Sequence, residues 1–226
     1  MRLPDDTQRL SIVGRTGSGK TVAAVWHLSH AAFDVMPWVV YDFKRDSLLS
    51  QIGELDGAEH IDTDFIPRRP GIYFVHPHPD DVELVQAQMW GIWAQENTGV
   101  YVDEGYMVCG PSNSNSAFRS LLTQGRSKRI PMIILSQRPV WLDRFVFSES
   151  DFYQLFALNH SGDRKKMMEY IPADLSRPLP EYHSYYHDVA RAETVVVKPV
   201  PIADEILKVF DRRLEPVRKS TKRVFI

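Results

Sequence analysis

The sequence lacks the features that would crosslink the chain or carry it across a membrane. It has one cysteine in 226 residues, Cys109, so a disulfide within the chain is excluded. No apolar run approaches the roughly 20 residues that span a bilayer. The first residues also lack the hydrophobic stretch of a signal peptide. We therefore expect a cytoplasmic site of action.

The sequence also lacks an excess of charge of either sign. The chain has 27 Lys and Arg against 29 Asp and Glu, a formal net charge of −2. This balance excludes the strongly basic composition of a protein that coats nucleic acid, so any DNA contact has to come from a local patch. The length is sufficient for one sizeable domain. We expect a single domain over residues 1–210 and a basic C-terminal tail over residues 211–226.

Short β-rich apolar runs alternate with helical patterns, which predicts an α/β fold with a mostly parallel central sheet flanked by helices. The predicted strands are Leu10–Val13, Trp38–Asp42, Ile72–Val75, Gly99–Asp103, Met132–Ser136 and Phe152–Leu158. The predicted helices are Thr21–Phe33, Asp80–Asn97, Ala117–Gly125 and Gly162–Tyr170. Residues 182–187 and 194–198 predict a C-terminal β-hairpin at the sheet edge.

One stretch carries a phosphate-binding pattern. Residues 14–21 read GRTGSGKT, which matches GxxxxGK[ST] and lies between a predicted strand and a predicted helix. In such a loop, backbone N–H groups point at the phosphates of a nucleotide at the start of the helix. Lys20 is suited to reach the β- and γ-phosphates of ATP, and the Thr21 hydroxyl to ligate Mg²⁺. The predicted ATP-binding residues are Gly14, Arg15, Thr16, Gly17, Ser18, Gly19, Lys20 and Thr21.

Two acidic residues end the predicted strand Gly99–Asp103. Asp103 closes the apolar run and is suited to hold Mg²⁺ through its water shell. Glu104 follows it and is suited to polarise the attacking water as the general base. Paired with the glycine loop, these acids predict hydrolysis. Gln137, at the tip of the strand expected beside them, is the predicted sensor of the γ-phosphate.

Several short motifs taken together resemble the FtsK–HerA superfamily of DNA-pumping ATPases, over roughly residues 10–170. The motifs are Asp42-Phe43-Lys44, Val102-Asp103-Glu104, Arg126, Ser136-Gln137-Arg138-Pro139 and His160-Ser161-Gly162-Asp163-Arg164. In size, the chain also resembles the small genome-packaging ATPases of membrane-containing icosahedral phages. The resemblance implies a RecA-like P-loop fold and an ATPase that moves DNA, with viral genome packaging as the implied task.

The resemblance also implies partners. Members of the superfamily work as rings, commonly hexamers, in which an arginine of the next subunit completes each active site. Arg126 matches the family position of this arginine, and Arg129 is the second candidate. The implied partners are further copies of the chain, duplex DNA bound without sequence preference, and capsid or other virion proteins. The site of action is then the host cytoplasm or the virion.

Residues 105–142 contain basic side chains and no acidic ones. The basic residues are Arg119, Arg126, Lys128, Arg129 and Arg138. This segregation predicts a local basic surface that contacts DNA phosphates. The Ser/Asn-rich loop at residues 110–116 lies where pore loops project in such motors. The basic residues of the predicted tail could bind DNA, dock on another virion protein, or remain solvated.

Two other functions share the same phosphate loop. A nucleotide or small-molecule kinase needs an acceptor-binding lid, and the sequence shows no arginine-rich insertion of that kind. A phage assembly ATPase resembling Zot would act on protein at a membrane. We favour an ATP-hydrolysing DNA translocase or packaging motor and keep both alternatives open.

Overall fold

The computed structural model describes residues 1–110, 115–177 and 179–222, with side chains described as far as residue 218. Strands and helices alternate along most of this part of the chain. In order they are β1 (Arg9–Val13), α1 (Lys20–Ser29), β2 (Pro37–Tyr41), α2 (Ser47–Gly53), β3 (Ala58–His60), β4 (Gly71–Val75), α3 (Val82–Gln95), β5 (Gly99–Val102), α4 (Tyr106–Cys109), α5 (Ser116–Gln124), β6 (Met132–Ser136), α6 (Arg144–Ser148), β7 (Phe152–Leu155), α7 (Ser161–Met167), β8 (Ser184–Asp188), β9 (Glu193–Val197) and α8 (Ala203–Lys222).

The strands form one sheet in the order β3-β4-β2-β5-β6-β1-β7-β8-β9. Neighbours from β3 to β7 pair in parallel, so the loops that follow these strands share one edge of the sheet. β8 pairs antiparallel with β7, and β9 with β8, which is the predicted hairpin. The predicted α/β class and mostly parallel sheet are therefore confirmed. β6 lies between β1 and β5, so its tip separates the glycine loop from the acidic pair.

Helices cover both faces of this sheet. Helices α3 to α7 contribute to one buried apolar cluster, while α1, α2 and α8 contribute to the other. Strands β1, β2, β4, β5, β6 and β7 are buried at every residue. Burial on both faces explains why they read as continuous apolar runs without alternation. None of the helices in the described ranges combines the length and apolar composition that crossing a membrane requires.

Some helix ends differ from the prediction. Helix α3 begins at Val82, two residues after the predicted Asp80, and its N-cap residue Asp81 makes no side-chain capping bond. Instead, Asp81 accepts a hydrogen bond from the His78 N–H at 2.7 Å. Helix α1 ends at Ser29, before the predicted Phe33. Helices α2 and α6 were not predicted, since each is too short for a clear helical period.

Helix α8 is the largest departure. It runs across residue 210, so the predicted boundary between domain and basic tail falls inside a helix. Its buried residues recur every four positions and are Ile206, Phe210 and Leu214. Arg213 donates to the Ser29 carbonyl oxygen at 2.7 Å at the end of α1. At least part of the predicted tail therefore packs on the domain, while Arg223 and the side chains of Lys219 and Lys222 lie outside the described residues.

Candidate active site

The glycine loop joins β1 to α1 at the carboxyl edge of the parallel strands, as predicted. Gly14 N–H donates to the Ser136 carbonyl at 3.2 Å, and Arg15 N–H donates to the Ala157 carbonyl at 2.9 Å. These bonds attach the start of the loop to the last residue of β6 on one side and to the chain just beyond β7 on the other. A Cβ at position 14 would lie 2.6 Å from the Phe156 Cβ, so the close approach requires glycine.

The loop ends where α1 begins. Gly19 is the N-cap residue of α1 and has a left-handed backbone with φ of 90°, which glycine adopts without strain. Lys20 is the first residue of the helix and is buried, although its side chain is long and charged. The free N–H groups of this first turn form the anion-binding end of a helix. The structure therefore brings the predicted phosphate cradle together within one turn of backbone.

The acidic pair lies directly across from Lys20. Asp103 and Glu104 follow β5 and are each 1% exposed. The Asp103 N–H donates to the Tyr41 carbonyl at 3.1 Å at the tip of β2. Two residues further on, the Gly105 N–H donates to the Leu135 carbonyl at 2.7 Å in β6. Backbone bonds to both neighbouring strands thus hold the two carboxylates at the sheet edge.

Burial and mutual charge shape the electrostatics of these groups. Burial lowers the pKa of Lys20, the nearby Lys44 ammonium lowers it further, and the Glu104 and Asp103 carboxylates oppose the shift. Burial raises the pKa of Asp103 to about 6, while Lys44 opposes this shift. Both effects follow from the cost of a charge away from water. Perturbed acids and amines gathered at one edge are typical of a catalytic site.

Gln137 connects the glycine loop to the acidic pair. The Thr16 hydroxyl donates to Gln137 Oε1 at 2.6 Å. The Gln137 N–H lies 3.4 Å from Glu104 Oε1, which accepts its hydrogen bond. Gln137 thus contacts the loop through its side chain and the predicted general base through its backbone N–H. The prediction that Gln137 senses the γ-phosphate stays a prediction, and its position next to both elements favours it.

Lys44 makes a contact that the sequence reasoning did not anticipate. Its ammonium forms an ion pair with Glu104 Oε2. The Asp-x-Lys motif had placed Lys44 near the tip of β2 without a partner. Since β2 pairs with β5 in register from Trp38 to Tyr41, residues just beyond the two strands lie side by side. The contact between Lys44 and Glu104 could have been predicted only if the pairing of β2 with β5 had been known.

The residues present fit a divalent cation. Asp103 Oδ2 is buried and has no hydrogen-bond partner among the described residues. An unpaired buried carboxylate oxygen is costly, and a cation would compensate for it. Carboxylate and hydroxyl oxygens are the ligands that Mg²⁺ prefers in nucleotide sites. Asp103 and Thr21 are therefore the residues that would hold Mg²⁺ here.

The two candidate arginines lie at the opposite edge of the sheet. Arg126 follows α5 and pairs with Asp151, which directly precedes β7. Arg129 pairs with Asp6, which precedes β1. The five-residue strand β1 separates these residues from the glycine loop by roughly 16 Å at about 3.3 Å per residue. Neither arginine is placed to act on the phosphate site of its own chain.

The predicted basic surface is wrong. Each of the five cations in residues 105–142 forms an ion pair with a carboxylate from outside that stretch. The pairs are Arg119–Asp143, Arg126–Asp151, Lys128–Glu96, Arg129–Asp6 and Arg138–Asp163. Segregation along the sequence is lost when the fold brings distant acids beside these bases. Of the predicted pore loop, residues 111–114 lie outside the described ranges, and Asn115 caps α5.

Known proteins resemble this chain in sequence and in fold. No protein-family profile matches the chain. The DNA packaging ATPase P9 of Enterobacteria phage PRD1 is 48% identical over 233 residues, which cover 98% of this chain and 99% of that protein. At this identity over nearly the whole length, the two chains share their ancestry and their fold.

Solved structures resemble the fold at lower identity. The genome packaging NTPase B204 from Sulfolobus turreted icosahedral virus 2, in complex with AMPPCP, has a TM-score of 0.70 at 18% identity. It covers 87% of this chain, which covers all of B204. EssC ATPases 2 and 3 from Geobacillus thermodenitrificans have a TM-score of 0.63 at 13% identity, covering 97% of this chain and 45% of EssC. Both likenesses concern the fold.

Proposed function

This chain belongs to the family of the DNA packaging ATPase P9 of phage PRD1, and we propose that it hydrolyses ATP to move duplex DNA into a viral capsid. The observation that carries the proposal is the meeting of Lys20, Asp103 and Glu104 at one sheet edge in a chain of this family. The family also favours a packaging motor over a kinase or a Zot-like assembly ATPase.

Each group of site residues has a separate role in hydrolysis. The loop from Gly14 to Thr21 binds the phosphates through its N–H groups, and Lys20 neutralises charge that develops on the γ-phosphate. Glu104 accepts a proton from the attacking water, and Gln137 orients the γ-phosphate next to it. Bound Mg²⁺, held by Thr21 and Asp103, would neutralise phosphate charge.

The ion pair between Lys44 and Glu104 restrains the general base. The Lys44 ammonium occupies Oε2 of Glu104, so a water molecule cannot approach that oxygen while the pair is intact. Glu104 therefore has to exchange this partner for a water molecule before it acts as a base. Such an exchange would couple hydrolysis to movement of the loop that carries Lys44.

The ring assembly is part of the proposal. Arg126 lies at the edge of the sheet opposite the phosphate loop, and its side chain is 59% exposed. In a head-to-tail ring, each interface joins two different surfaces of the subunit, here proposed to be the amino edge of one sheet and the carboxyl edge of the next. Arg126 would then contact the γ-phosphate of the neighbouring subunit, with Arg129 as the second candidate. We place this assembly, as a hexamer, on duplex DNA in the host cytoplasm or at the virion.

DNA-stimulated hydrolysis tests the motor. Purified protein, at concentrations where sedimentation shows rings, is expected to release phosphate several-fold faster with duplex DNA of random sequence. The stimulation is expected because DNA phosphates bound inside the ring would favour the hydrolysing state of the subunits. A Lys20→Ala sample measures the background of contaminating ATPases. Equal rates with and without duplex DNA would contradict a DNA-translocating function.

Mixing of two inactive variants tests Arg126. Arg126→Ala and Glu104→Gln are each expected to be inactive alone, since one lacks the arginine and the other the base. In mixed rings, a Glu104 of the first variant meets an Arg126 of the second, so hydrolysis is expected to reappear. Arg129→Ala mixed with Glu104→Gln is the matched control, because Arg129 lies at the same edge. Full activity of Arg126→Ala alone, or no recovery on mixing, would remove Arg126 from the site.

A further inference from the structure

A cavity of about 360 Å³ adjoins the end of the glycine loop. Its walls come from Gly19 and the first turn of α1, from the end of β7 with Phe156, from Tyr182, and from the segment Lys198–Ala203 between β9 and α8. The volume lies at the lower end of small-molecule pockets, which span about 300–1,000 Å³. The active-site chemistry described above uses none of these walls except the loop itself.

The position of the cavity matches one end of a bound nucleoside triphosphate. In the sheet, β6 and β5 with the catalytic acids lie on one side of β1, and β7, β8 and β9 lie on the other. The γ-phosphate has to face Glu104 and Gln137, so the rest of the nucleotide extends away from them. The cavity lies on that opposite side, at Gly19 and Val22, where a P-loop holds the α-phosphate.

Tyr182 gives this cavity an aromatic wall beside the phosphate loop. A Cβ built on Gly19 would lie 3.1 Å from Tyr182 Cδ1 and 3.8 Å from Phe156 Cε1. Tyr182 itself is 49% exposed, and Ile202 at the rim is 66% exposed. An exposed ring and an exposed apolar side chain around one cavity are a surface on which a flat aromatic group can stack.

The wall has few polar side chains that could read the edge of a base, and the buried one is already engaged. Gln154, Tyr182 and Lys198 are the polar side chains of the described wall. The Gln154 amide is fully engaged, since its Oε1 lies 2.8 Å from His27 Nε2 and its Nε2 donates to Ser184 Oγ at 2.9 Å. Pro199 and Pro201 have no N–H to donate. Lys198 is exposed and carries donors alone.

We propose that this cavity binds the purine base of the nucleotide by stacking on Tyr182, and that it accepts adenine and guanine alike. The inference rests on the proposed ATP hydrolysis and adds the base site and its specificity. Discrimination between bases requires buried polar groups that pair with one base and are left unpaired by the other. The one buried polar side chain of this wall, Gln154, is already engaged with His27 and Ser184, so contact area and the triphosphate supply most of the recognition.

Equilibrium binding of ribose-labelled fluorescent ATP and GTP tests the proposal without depending on hydrolysis. The two are expected to bind within about tenfold of each other. Tyr182→Ala is expected to weaken both by about 5- to 100-fold, the usual worth of an aromatic–base stack. Tyr182→Phe, which retains the ring, is expected to bind both as the unmodified protein does. Competition by inorganic tripolyphosphate is expected to be unchanged in Tyr182→Ala, because tripolyphosphate has no base.

Three results would overturn the base site. Equal binding in Tyr182→Ala would mean that the base lies elsewhere. A parallel loss of tripolyphosphate binding would make Tyr182 a support of the glycine loop rather than a base contact. A preference for ATP over GTP above about a hundredfold would require a buried side chain that is free to pair with the base, and Gln154 is not free. If labelled nucleotides bind as expected and no hydrolysis occurs, the proposed function fails while the base site stands.

Discussion

Replacement of Lys20 by alanine is expected to lower the rate of ATP hydrolysis by about 10²- to 10³-fold, the usual effect of removing one preorganised charge or donor at a transition state. Lys20 is buried at the start of α1 and interacts with Glu104 and Asp103. No rearrangement of exposed lysines can replace a group held at that point. Phosphate release at saturating ATP, with and without duplex DNA, measures the effect.

Stability separates lost chemistry from lost folding in this variant. Burial and the neighbouring Lys44 both oppose the charge on Lys20. Removal of the ammonium is therefore expected to leave the thermal unfolding midpoint close to that of the unmodified protein. Lys208→Ala, an exposed position on α8, is the matched control and is expected to retain full activity. Turnover of Lys20→Ala within a few-fold of the unmodified rate would move hydrolysis to another site.

Replacement of Glu104 by glutamine is expected to abolish most hydrolysis and retain ATP binding. Loss of a positioned general base costs typically about 10²- to 10⁴-fold in rate. Glutamine has nearly the same shape, and its side-chain oxygen can still accept from the Gln137 N–H. The phosphate loop contacts ATP through other groups, so affinity is expected to change little. Single-turnover hydrolysis and equilibrium binding of ATP measure the two effects separately.

Two further variants accompany Glu104→Gln: the same chemical change at Glu96, and removal of the Lys44 ammonium. Glu96→Gln removes a carboxylate that pairs with Lys128, and it is expected to hydrolyse ATP normally. Lys44→Met removes the partner of Glu104 and tests whether the ion pair restrains the base, in which case hydrolysis without DNA rises. Normal hydrolysis by Glu104→Gln would exclude Glu104 as the base. Loss of ATP binding in that variant would assign it a role in the phosphate site instead.

Local patterns predicted much of the site. The glycine loop, the acidic strand end and the strand before Gln137 are each encoded in a few consecutive residues. Their spacing along the chain was sufficient to predict a parallel sheet, and parallel strands bring such residues to one edge. The structure accordingly brings Lys20, Asp103, Glu104 and Gln137 together. Short strands buried on both faces were recognised because they are continuously apolar.

Long-range pairing could not be predicted in this way. The stretch 105–142 looked like a basic surface because its acidic partners, such as Asp6 and Asp163, are distant in sequence. Helix α8 was not predicted, and the part beyond residue 210 was expected to be a basic tail because Lys and Arg are frequent there. Its apolar residues Ile206, Phe210 and Leu214 are buried in one cluster with residues of α1 and α2, a contact that only the fold reveals. Ion pairs and helix docking depend on neighbours that single-sequence patterns do not contain.

The sequence by itself determined the class of chemistry, because phosphate binding and water activation need particular residue types at fixed short spacings. It also determined that a strand-end acid would face the loop. The tertiary structure decided which charges are free, since burial and pairing depend on the packing of distant segments. It decided that Lys44 holds Glu104, that Arg126 lies beyond reach of its own loop, and that Tyr182 lies against Gly19. Contacts of this kind arise when strands and helices separated by tens of residues pack together.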